Sequence, residues 1–347
     1  MKKIYLFLIL IAFISSCDKD KAPDLPTGKG VYIINEGNFN FGNGEVSFYD
    51  PSTNAVTNNL FQSANGYSLG DVAQSMFIKD SIAFIAVNNS TKIEVVKLPS
   101  FQKVRTISIT GSSPRNILPL NDSIAYVTEL FTKKIWVLNY LTGNVVTNIA
   151  TQGWTENLFK IDDDVFVQQK INALLTPTFA TLLKVNTINH TAQYNNMFSG
   201  RDVNGMVKDK LDRIWVAVDE DTAHGLYAGF YCFDKNLLEQ KSFFYTSYNH
   251  HPSRLCINSS GERIVYADKD VFSFAIGENA IPVTSVISAS GKNIYAMDID
   301  QANDDIYLSD ALDFVQQSRI YRYDKNGILI HSFTAGIISG NFAFNHE

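Results

Sequence analysis

An alternating pattern of apolar and polar residues recurs along the chain, each time directly after an acidic or polar turn. Its copies begin at Lys79 (KDSIAFIAV), Asn121 (NDSIAYVTE), Asp162 (DDDVFVQQ), Leu211 (LDRIWVAVD), Gly261 (GERIVYAD) and Asn303 (NDDIYLSD). Such alternation is typical of β-strands, and no stretch shows a comparable 3.6-residue helical period. The pattern therefore predicts an all-β protein.

Each copy is one strand of a four-stranded unit. A short apolar segment precedes it, such as AQSMFI at Ala73, and a third strand follows, such as RIYRYD at Arg319. Turns such as PSTN, LTGN and DKNG then lead into a fourth strand, because they supply the positive-φ and fixed-φ residues that tight turns need. The 318 residues after Lys29 divide into seven units of roughly 45 residues, the length of a propeller blade.

The two ends of this repeat region each lack part of a unit. The first strand-like segment, Gly30 to Asn35, has no strand before it, and the last residues, Gly340 to Glu347, have no partners of their own. Joining the ends completes the set and removes the unpaired strand edges of an open array. We therefore predict a seven-bladed β-propeller over residues 30–347, in which the C-terminal strand Asn341 to Asn345 completes the blade begun by the N-terminal strands, Val31 to about Gln62.

Strand order decides which loops share a face of such a propeller. In four-stranded antiparallel blades, the loops between second and third strands lie on the same face as the blade-to-blade connections. These loops are long in this sequence and the opposite turns are short, and long ordered loops are usually functional. We therefore predict that the long loops form a ligand-binding face; they are residues 35–44, 63–71, 168–180, 219–229, 245–252 and 310–318.

The long loops and the adjoining strand ends carry aromatic rings and hydrogen-bonding side chains, which together suit a concave site for a medium-sized ligand. The predicted ligand-binding residues are Asn35, Phe39, Phe41, Tyr67, Asn88, Arg115, Phe131, Trp154, Gln168, Arg201, Tyr227, Tyr248, His250, Arg254 and Phe314. For any single aromatic residue, the alternative is that it only packs a loop onto a blade. Polar residues also end every second strand; they either favour strand-to-loop turns or form a hydrogen-bonding or cation-binding collar around the channel.

The sequence contains no nucleotide-binding glycine motif, no zinc-spaced cysteines and no serine-centred elbow. His250 and His251 are the only paired histidines, and adjacent residues of an extended chain point to opposite sides, so we expect a loop role for one of them. We therefore predict a protein that is not an enzyme, with no catalytic residues, no bound metal and no cofactor. The alternative is a metal-dependent propeller hydrolase or lyase, with residues such as Glu36, Asn157 and Asp268 around a cation in the channel.

The first residues of the chain predict export and lipid attachment. Residues 1–16 have a basic start, an apolar run from Ile4 to Ile14 that is too short to span a membrane, and small residues before Cys17. Cleavage there would leave Cys17 as the lipidated N-terminus, and residues 17–29 form a flexible, charged tether. An ordinary secretory leader followed by a chance cysteine is the alternative.

Charge and cysteine content narrow the class of protein further. Without residues 1–16 the chain has 27 basic and 35 acidic residues, a net charge of −8. A nucleic-acid partner is not expected, because phosphate binding requires a basic face. Cys232 and Cys256 fall inside strand-like runs, so buried free thiols are expected rather than a disulfide.

The segment VYIINEGNFNFGNGEVSFYDPSTNAV (residues 31–56) and the element GSSPRN (residues 111–116) resemble the YncE-like, YVTN-type β-propeller lipoproteins of Bacteroidota. The resemblance covers about residues 30–347. It implies a cell-surface lipoprotein of the outer membrane, attached to the membrane only through the lipid on Cys17.

The same resemblance implies a function. BtuG-type proteins of this group capture cobalamin through loops on one propeller face and cap a TonB-dependent outer-membrane transporter. By this resemblance the chain binds a nutrient, with cobalamin or another corrinoid as the leading candidate, and passes it to such a transporter. The alternatives are a protein-interaction scaffold of an outer-membrane complex and the metal-dependent enzyme described above.

Overall fold

Seven antiparallel β-sheets form a closed ring in a computed structural model of the chain, which describes residues 29–170, 181–195, 198 and 201–346. The predicted leader, Cys17 and nearly all of the tether lie outside the described residues. Within the described ranges, no helix is long and apolar enough to cross a membrane. The prediction of a seven-bladed β-propeller is confirmed.

The ring contains 27 strands among the described residues. In chain order they are β1 (Gly30–Asn35), β2 (Glu45–Asp50), β3 (Ala55–Thr57), β4 (Ala73–Lys79), β5 (Ile82–Val87), β6 (Lys92–Lys97), β7 (Gln102–Ser108), β8 (Pro114–Pro119), β9 (Ile124–Glu129), β10 (Lys134–Asn139), β11 (Asn144–Ala150), β12 (Trp154–Ile161), β13 (Asp164–Lys170), β14 (Thr181–Asn186), β15 (Ala192–Asn195), β16 (Val203–Lys208), β17 (Ile214–Val218), β18 (Gly229–Phe233), β19 (Glu239–Phe244), β20 (Ser253–Ile257), β21 (Arg263–Asp268), β22 (Asp270–Ala275), β23 (Ile294–Ile299), β24 (Ile306–Asp310), β25 (Gln317–Tyr323), β26 (Leu329–Ile337) and β27 (Ser339–Asn345). One short helix, α1 (Leu60–Asn65), and two 3-10 turns, Asn88–Ser90 and Thr222–His224, lie in the loops.

The strands form seven blades, each numbered here along the chain and ordered from the inside of the ring outwards. Blades 1 to 4 are β4–β7, β8–β11, β12–β15 and β16–β19, and blade 6 is β23–β26. Blade 7 combines both ends of the chain in the order β27, β1, β2, β3. In it Ile33 pairs with Phe342 and Val31 with Phe344, so the C-terminal strand closes the ring as predicted.

Blade 5 departs from the predicted four-strand pattern, because its ladder contains only β20, β21 and β22. The expected fourth strand is reduced to an isolated bridge between Val271 and Ile287. Gly277 and Pro282 lie in the segment between them. Proline lacks an N–H group to donate and glycine weakens a strand, so this segment is a poor continuation of the ladder.

The core lies between neighbouring blades rather than in one central layer. Trp215 and Phe230 of blade 4 pack against Tyr266 and Phe274 of blade 5, with 4.8 Å between the ring centres of Phe230 and Tyr266. Middle strands are therefore buried on both faces, and all five residues of β17 are buried. This explains why the strands contain apolar residues at positions that strict alternation would leave polar.

Candidate ligand-binding site at the upper mouth of the channel

The two faces of the ring differ as the strand order predicts. One face is formed by the blade-to-blade connections and by the loops β1–β2, β5–β6, β9–β10, β17–β18 and β24–β25. We call it the upper face. The lower face carries the short hairpin turns, such as residues 80–81, 209–213 and 324–328. β1 begins at the lower face with Gly30, so the chain enters the propeller there.

A β-bulge lies near the upper end of the innermost strand in every blade. The pairing register shifts there in all seven inner strands. The residues at these shifts are Gln74, Arg115, Asn116, Glu156, Asn157, Asn204, Arg254, Leu255, Tyr295 and Gly340. Bulges re-aim side chains and are over-represented next to functional sites. The repeated bulge thus gives the channel mouth its own set of side chains, different in each blade.

Five of the side chains at this mouth form a continuous hydrogen-bonded chain, which we call the mouth network. Arg115 binds both carboxylate oxygens of Glu156, at 2.8 and 2.9 Å, and donates at 2.5 Å to the amide oxygen of Gln74. The Gln74 amide donates to Glu36 at 3.3 Å, and the Tyr295 hydroxyl donates to the other oxygen of Glu36 at 2.9 Å. The network joins blades 1, 2, 3, 6 and 7 into one preorganised polar surface.

Burial changes the proton affinity of this network. The pKa of Glu36 is raised by removal from water, and the charge of Arg115 and the hydrogen bond from Tyr295 oppose part of that shift. Burial also raises the pKa of the Tyr295 hydroxyl, and the neighbouring Glu36 carboxylate adds to the effect. Tyr295 therefore stays protonated and remains a donor to Glu36.

Gly340 makes room for Glu36, because its missing side chain is the space that the Glu36 carboxylate occupies. We predict that Gly340→Ala displaces this carboxylate, breaks its hydrogen bond from Tyr295 and lowers stability by about 1–3 kcal/mol through overpacking. Gly277→Ala is the matched control, since Gly277 has open space around it and should stay within about 0.5 kcal/mol of the wild type. Urea unfolding of both variants measures the difference, and equal stabilities would contradict this packing.

Two loops beside the mouth present an apolar ridge, which we define as Phe39, Phe41, Leu312, Phe314 and Val315. The exposed fractions of Phe39, Phe41 and Phe314 are 60%, 76% and 39%. Asn38 of the first loop donates to the carbonyl of Phe314 in the second at 2.7 Å. Phe314 in turn contacts Tyr295 edge-on at 5.6 Å, so the ridge adjoins the mouth network. The structure thus brings together three of the predicted aromatic residues.

A second aromatic cluster lies above blades 4 and 5. The rings of Tyr227 and Tyr248 are 4.7 Å apart, and Tyr245 stacks on His250 at 3.7 Å. The Nδ1 atom of His250 lies 2.6 Å from Asp268. The Nδ1 atom of His251 lies 2.6 Å from a different aspartate, Asp219. The two histidines therefore have separate partners, as expected for adjacent residues of an extended chain.

Four predicted ligand residues are buried and bonded within the protein. Asn35 accepts from Gly336 N and from the Ser339 hydroxyl. The Asn88 amide donates to the carbonyl of Ser113 at 3.0 Å, and the Gln168 amide to that of Val203 at 2.6 Å. Arg201 donates to the carbonyl oxygens of Tyr227 and Phe198 at 2.9 and 3.2 Å. In this structure these four residues hold strands and loops together, which is a structural role.

The remaining predicted residues are spread around the ring. Phe131 is exposed in the β9–β10 loop on the upper face. Trp154 is half-buried at the upper end of β12, where it pairs with Lys170. Tyr67 lies on the outer circumference, where its ring contacts Phe61 of α1 and the ammonium of Lys103 of β7. Tyr67 is therefore separated from the mouth network.

The polar residues that end the second strands fasten the blade connections. The Glu129 carboxylate accepts from Ser113 N at 2.8 and 2.9 Å, and that of Asp310 accepts from Asn293 N at 2.9 Å. Asp268 likewise accepts from His251 N. In the part of the chain that the structure describes, no three His, Cys, Asp or Glu side chains are grouped to hold a metal ion. The hydrogen bonds of Glu129, Asp268 and Asp310 are those that the turn-forming alternative predicts.

A cavity of about 220 Å³ continues from the mouth into the channel. It is lined by Asn157, Arg254, Leu255, Cys256, Ala296, Met297, Asp298, Gly340, Asn341 and Phe342. Burial raises the pKa of Asp298 to about 6 and that of the Cys256 thiol well above its ordinary value. Larger hollows of about 660 and 510 Å³ lie on the flank of blade 6 and on the lower face beside Lys29.

Gln74, Glu156 and Tyr295 were not among the residues predicted from the sequence to bind a ligand. Each is the second or third residue of an innermost strand, at the place where Arg115 and Arg254 stand in their own blades. Aligning the repeat units on their first strands would have put all five in one ring. The alternating apolar pattern of the second strands does not contain this signal.

The closed ring of antiparallel sheets defines the molecule as a β-propeller, with a polar network at the mouth of its channel. Residues 29–344 match the family model described as Domain of unknown function (DUF5074), and the chain belongs to this family. No curated protein matches the sequence.

Solved structures share the fold. A quinonprotein alcohol dehydrogenase-like protein from Bacteroides thetaiotaomicron superposes with a TM-score of 0.68 at 14% identity, covering 92% of this chain and 78% of that one. The computationally designed Ika8 protein gives 0.56 at 14% identity, covering 92% and 96%. Virginiamycin B lyase from Staphylococcus aureus gives 0.60 at 9% identity, covering 75% and 83%. At such identities the likeness extends to the fold alone.

Proposed function

We propose that the protein is a cell-surface lipoprotein that captures a nutrient ligand at the upper mouth of the propeller without changing it chemically. Cobalamin or a related corrinoid is the leading candidate ligand. The captured ligand then passes to a TonB-dependent transporter of the outer membrane.

One observation carries this proposal: the apolar ridge lies directly beside the mouth network on the same face, with Phe314 in contact with Tyr295. Flat apolar surface supplies contact area, and a few fixed polar groups set orientation, which is the usual composition of a ligand site. The polar groups are already held by one another on rigid strands, so little conformational entropy is lost on binding. A corrinoid, with a broad ring system and peripheral amide groups, matches both kinds of surface.

The position of the chain's entry supports surface display. Gly30 enters the propeller at the lower face, opposite the ridge and the mouth network. A lipid on Cys17 would therefore anchor the lower side and leave the upper mouth open for capture. The lipid site and the transporter come from the sequence and its family resemblance.

Isothermal titration calorimetry of cobalamin into the protein lacking residues 1–17 tests the proposal. We expect saturable binding at one site, weakened about tenfold or more in the Phe39→Ala/Phe41→Ala double variant. Because both rings are largely exposed, the melting temperature of that variant should stay close to the wild type. Leu211→Ala, which removes an exposed apolar side chain of the lower face, is the control and should bind normally. No binding by the wild type would eliminate cobalamin as the ligand.

A further inference from the structure

Arg254 is the arginine at the mouth whose guanidinium has no hydrogen bond or ion pair to another described residue. Its guanidinium lies over the ring of Tyr295, 5.3 Å from the ring centre. Arg115 differs, because Glu156 and Gln74 already engage it. A guanidinium stacked on an aromatic face keeps the N–H groups of its edge available, and these match the two oxygens of a carboxylate or phosphate.

The backbone of Arg254 is held in an unfavourable conformation. Its φ is 53°, in the left-handed region that long side chains rarely adopt, and it lies in the bulge of β20. Such a conformation is strained, and strained residues tend to cluster at functional sites. The bulge and the positive φ turn the exposed cationic side chain of Arg254 toward the cavity at the channel mouth.

The cavity beneath Arg254 limits what enters it. Its volume of about 220 Å³ is below the roughly 300–1,000 Å³ of pockets that enclose a whole small molecule. Two amide side chains, Asn157 and Asn341, line it together with Arg254 and with the carboxyl group of Asp298, which accepts a hydrogen bond from Ile299 N. The cavity therefore suits one polar arm of a larger ligand, whose body would lie outside on the upper face.

Glu36 does not require Arg254 as its partner. It accepts hydrogen bonds from Tyr295 and Gln74, and the charge of Arg115 acts on it more strongly than that of Arg254. The charge of Arg254 acts on Glu36 without a hydrogen bond between them, so the N–H donors of its guanidinium are left for a group that comes from outside the protein.

We propose that Arg254 and the cavity beneath it form a subsite for an anionic arm of the ligand, a carboxylate or phosphate group. The guanidinium binds the two oxygens side by side at the rim of the cavity, and the amide of Asn157 offers a donor below; the Asn341 amide already donates to the carbonyl of Gln74 at 3.4 Å. This subsite rests on the proposed function, because it belongs to the same upper mouth. It specifies in addition that the mouth selects a ligand with a negatively charged group.

The test is a titration of the protein with inorganic phosphate and, separately, with acetate, at constant ionic strength set by chloride. The signal is the NMR chemical shift of the backbone amide groups of residues 253–257 and 294–297, which flank the subsite and remain present in every variant. We expect saturable phosphate or acetate binding in the wild type, at least tenfold weaker binding in Arg254→Gln and intermediate binding in Arg254→Lys. Lysine keeps the charge but loses the paired donors. The probe that binds more tightly identifies the arm as phosphate-like or carboxylate-like.

Arg263→Gln is the matched control, because Arg263 is an exposed arginine of the same blade that donates to Ser273 at 3.1 Å. It should bind the probes as the wild type does. Absence of saturable binding in the wild type, or equal binding in wild type and Arg254→Gln, would overturn the subsite. A lower melting temperature of Arg254→Gln with unchanged probe binding would assign Arg254 only a structural role.

A cobalamin titration of the same variants separates this inference from the proposed function. Phosphate or acetate binding that depends on Arg254, without any cobalamin binding, would retain the subsite and eliminate the proposed ligand. Equal cobalamin binding by wild type and Arg254→Gln, with no probe binding, would retain the ligand and eliminate the subsite.

Discussion

Deleting residues 339–347 should abolish the cooperative folding of the whole propeller, although it removes only one strand and two further residues. β27 is the innermost strand of blade 7 and pairs with β1 along its length. Its loss would expose the inner edge of β1, remove the buried Phe342 from its contact with Tyr307 and remove the hydrogen bond from Ser339 to Asn35. The lost contacts are comparable with the roughly 5–15 kcal/mol of stability of an entire domain.

Circular dichroism during urea unfolding measures this effect, with a chain ending at Asn345 as the control. That chain loses only His346, which is half-exposed and pairs with Asp300 at 2.9 Å, and Glu347, so it should unfold near the wild-type midpoint. A synthetic peptide of residues 339–347 should restore part of the fold by adding a strand to the open edge. A wild-type midpoint for the chain without residues 339–347 would contradict closure by β27.

Replacing Arg115 with methionine should lower the free energy of unfolding by about 2–4 kcal/mol. The substitution leaves the Glu156 carboxylate in a mostly buried place without its bidentate partner, and the unpaired charge is the main loss. The side chains of Arg115 and Glu156 are 19% and 14% exposed, so the effect should fall somewhat below that of a fully buried pair. Gln74 also loses the donor to its amide oxygen, which loosens the path to Glu36.

A double-mutant cycle separates the ion pair from the packing of Arg115. The variant Arg115→Met/Glu156→Gln should recover part of the lost stability, because it leaves no unpaired carboxylate. Lys79→Met is the control, since the partner of Lys79, Asp122, is fully exposed and such pairs contribute little. Additive single effects would show that Arg115 and Glu156 are not coupled at the channel mouth.

The fold was predictable because it repeats. The strands of each blade show the same alternation of apolar and polar residues in the sequence. The unmatched segments at Gly30 and Asn341 indicate how the ring closes. Blade 5 was mispredicted, because the segment that contains Gly277 and Pro282 still has apolar residues at strand-like spacing. The hydrophobic periodicity of a segment shows which of its side chains are apolar. Whether the segment joins a β-sheet also depends on its backbone N–H donors, which periodicity does not show.

The site was predictable only in part. Loop length placed Phe39, Phe41 and Phe314 on the upper face, and the structure brings their two loops together. Arg201 and Arg254 look alike in the sequence, as polar residues near the start of an inner strand. One is buried against backbone carbonyl groups and the other is exposed at the mouth, and that difference depends on contacts between blades.

Hydrogen–deuterium exchange of the protein with and without saturating cobalamin tests most directly whether the upper mouth captures the ligand. The account predicts slower exchange in the upper loops, residues 36–44, 245–252 and 311–316. It predicts unchanged exchange in the lower turns, residues 80–81, 209–213 and 324–328. Protection confined to the lower turns, or no protection anywhere, would contradict capture of this ligand at the upper mouth.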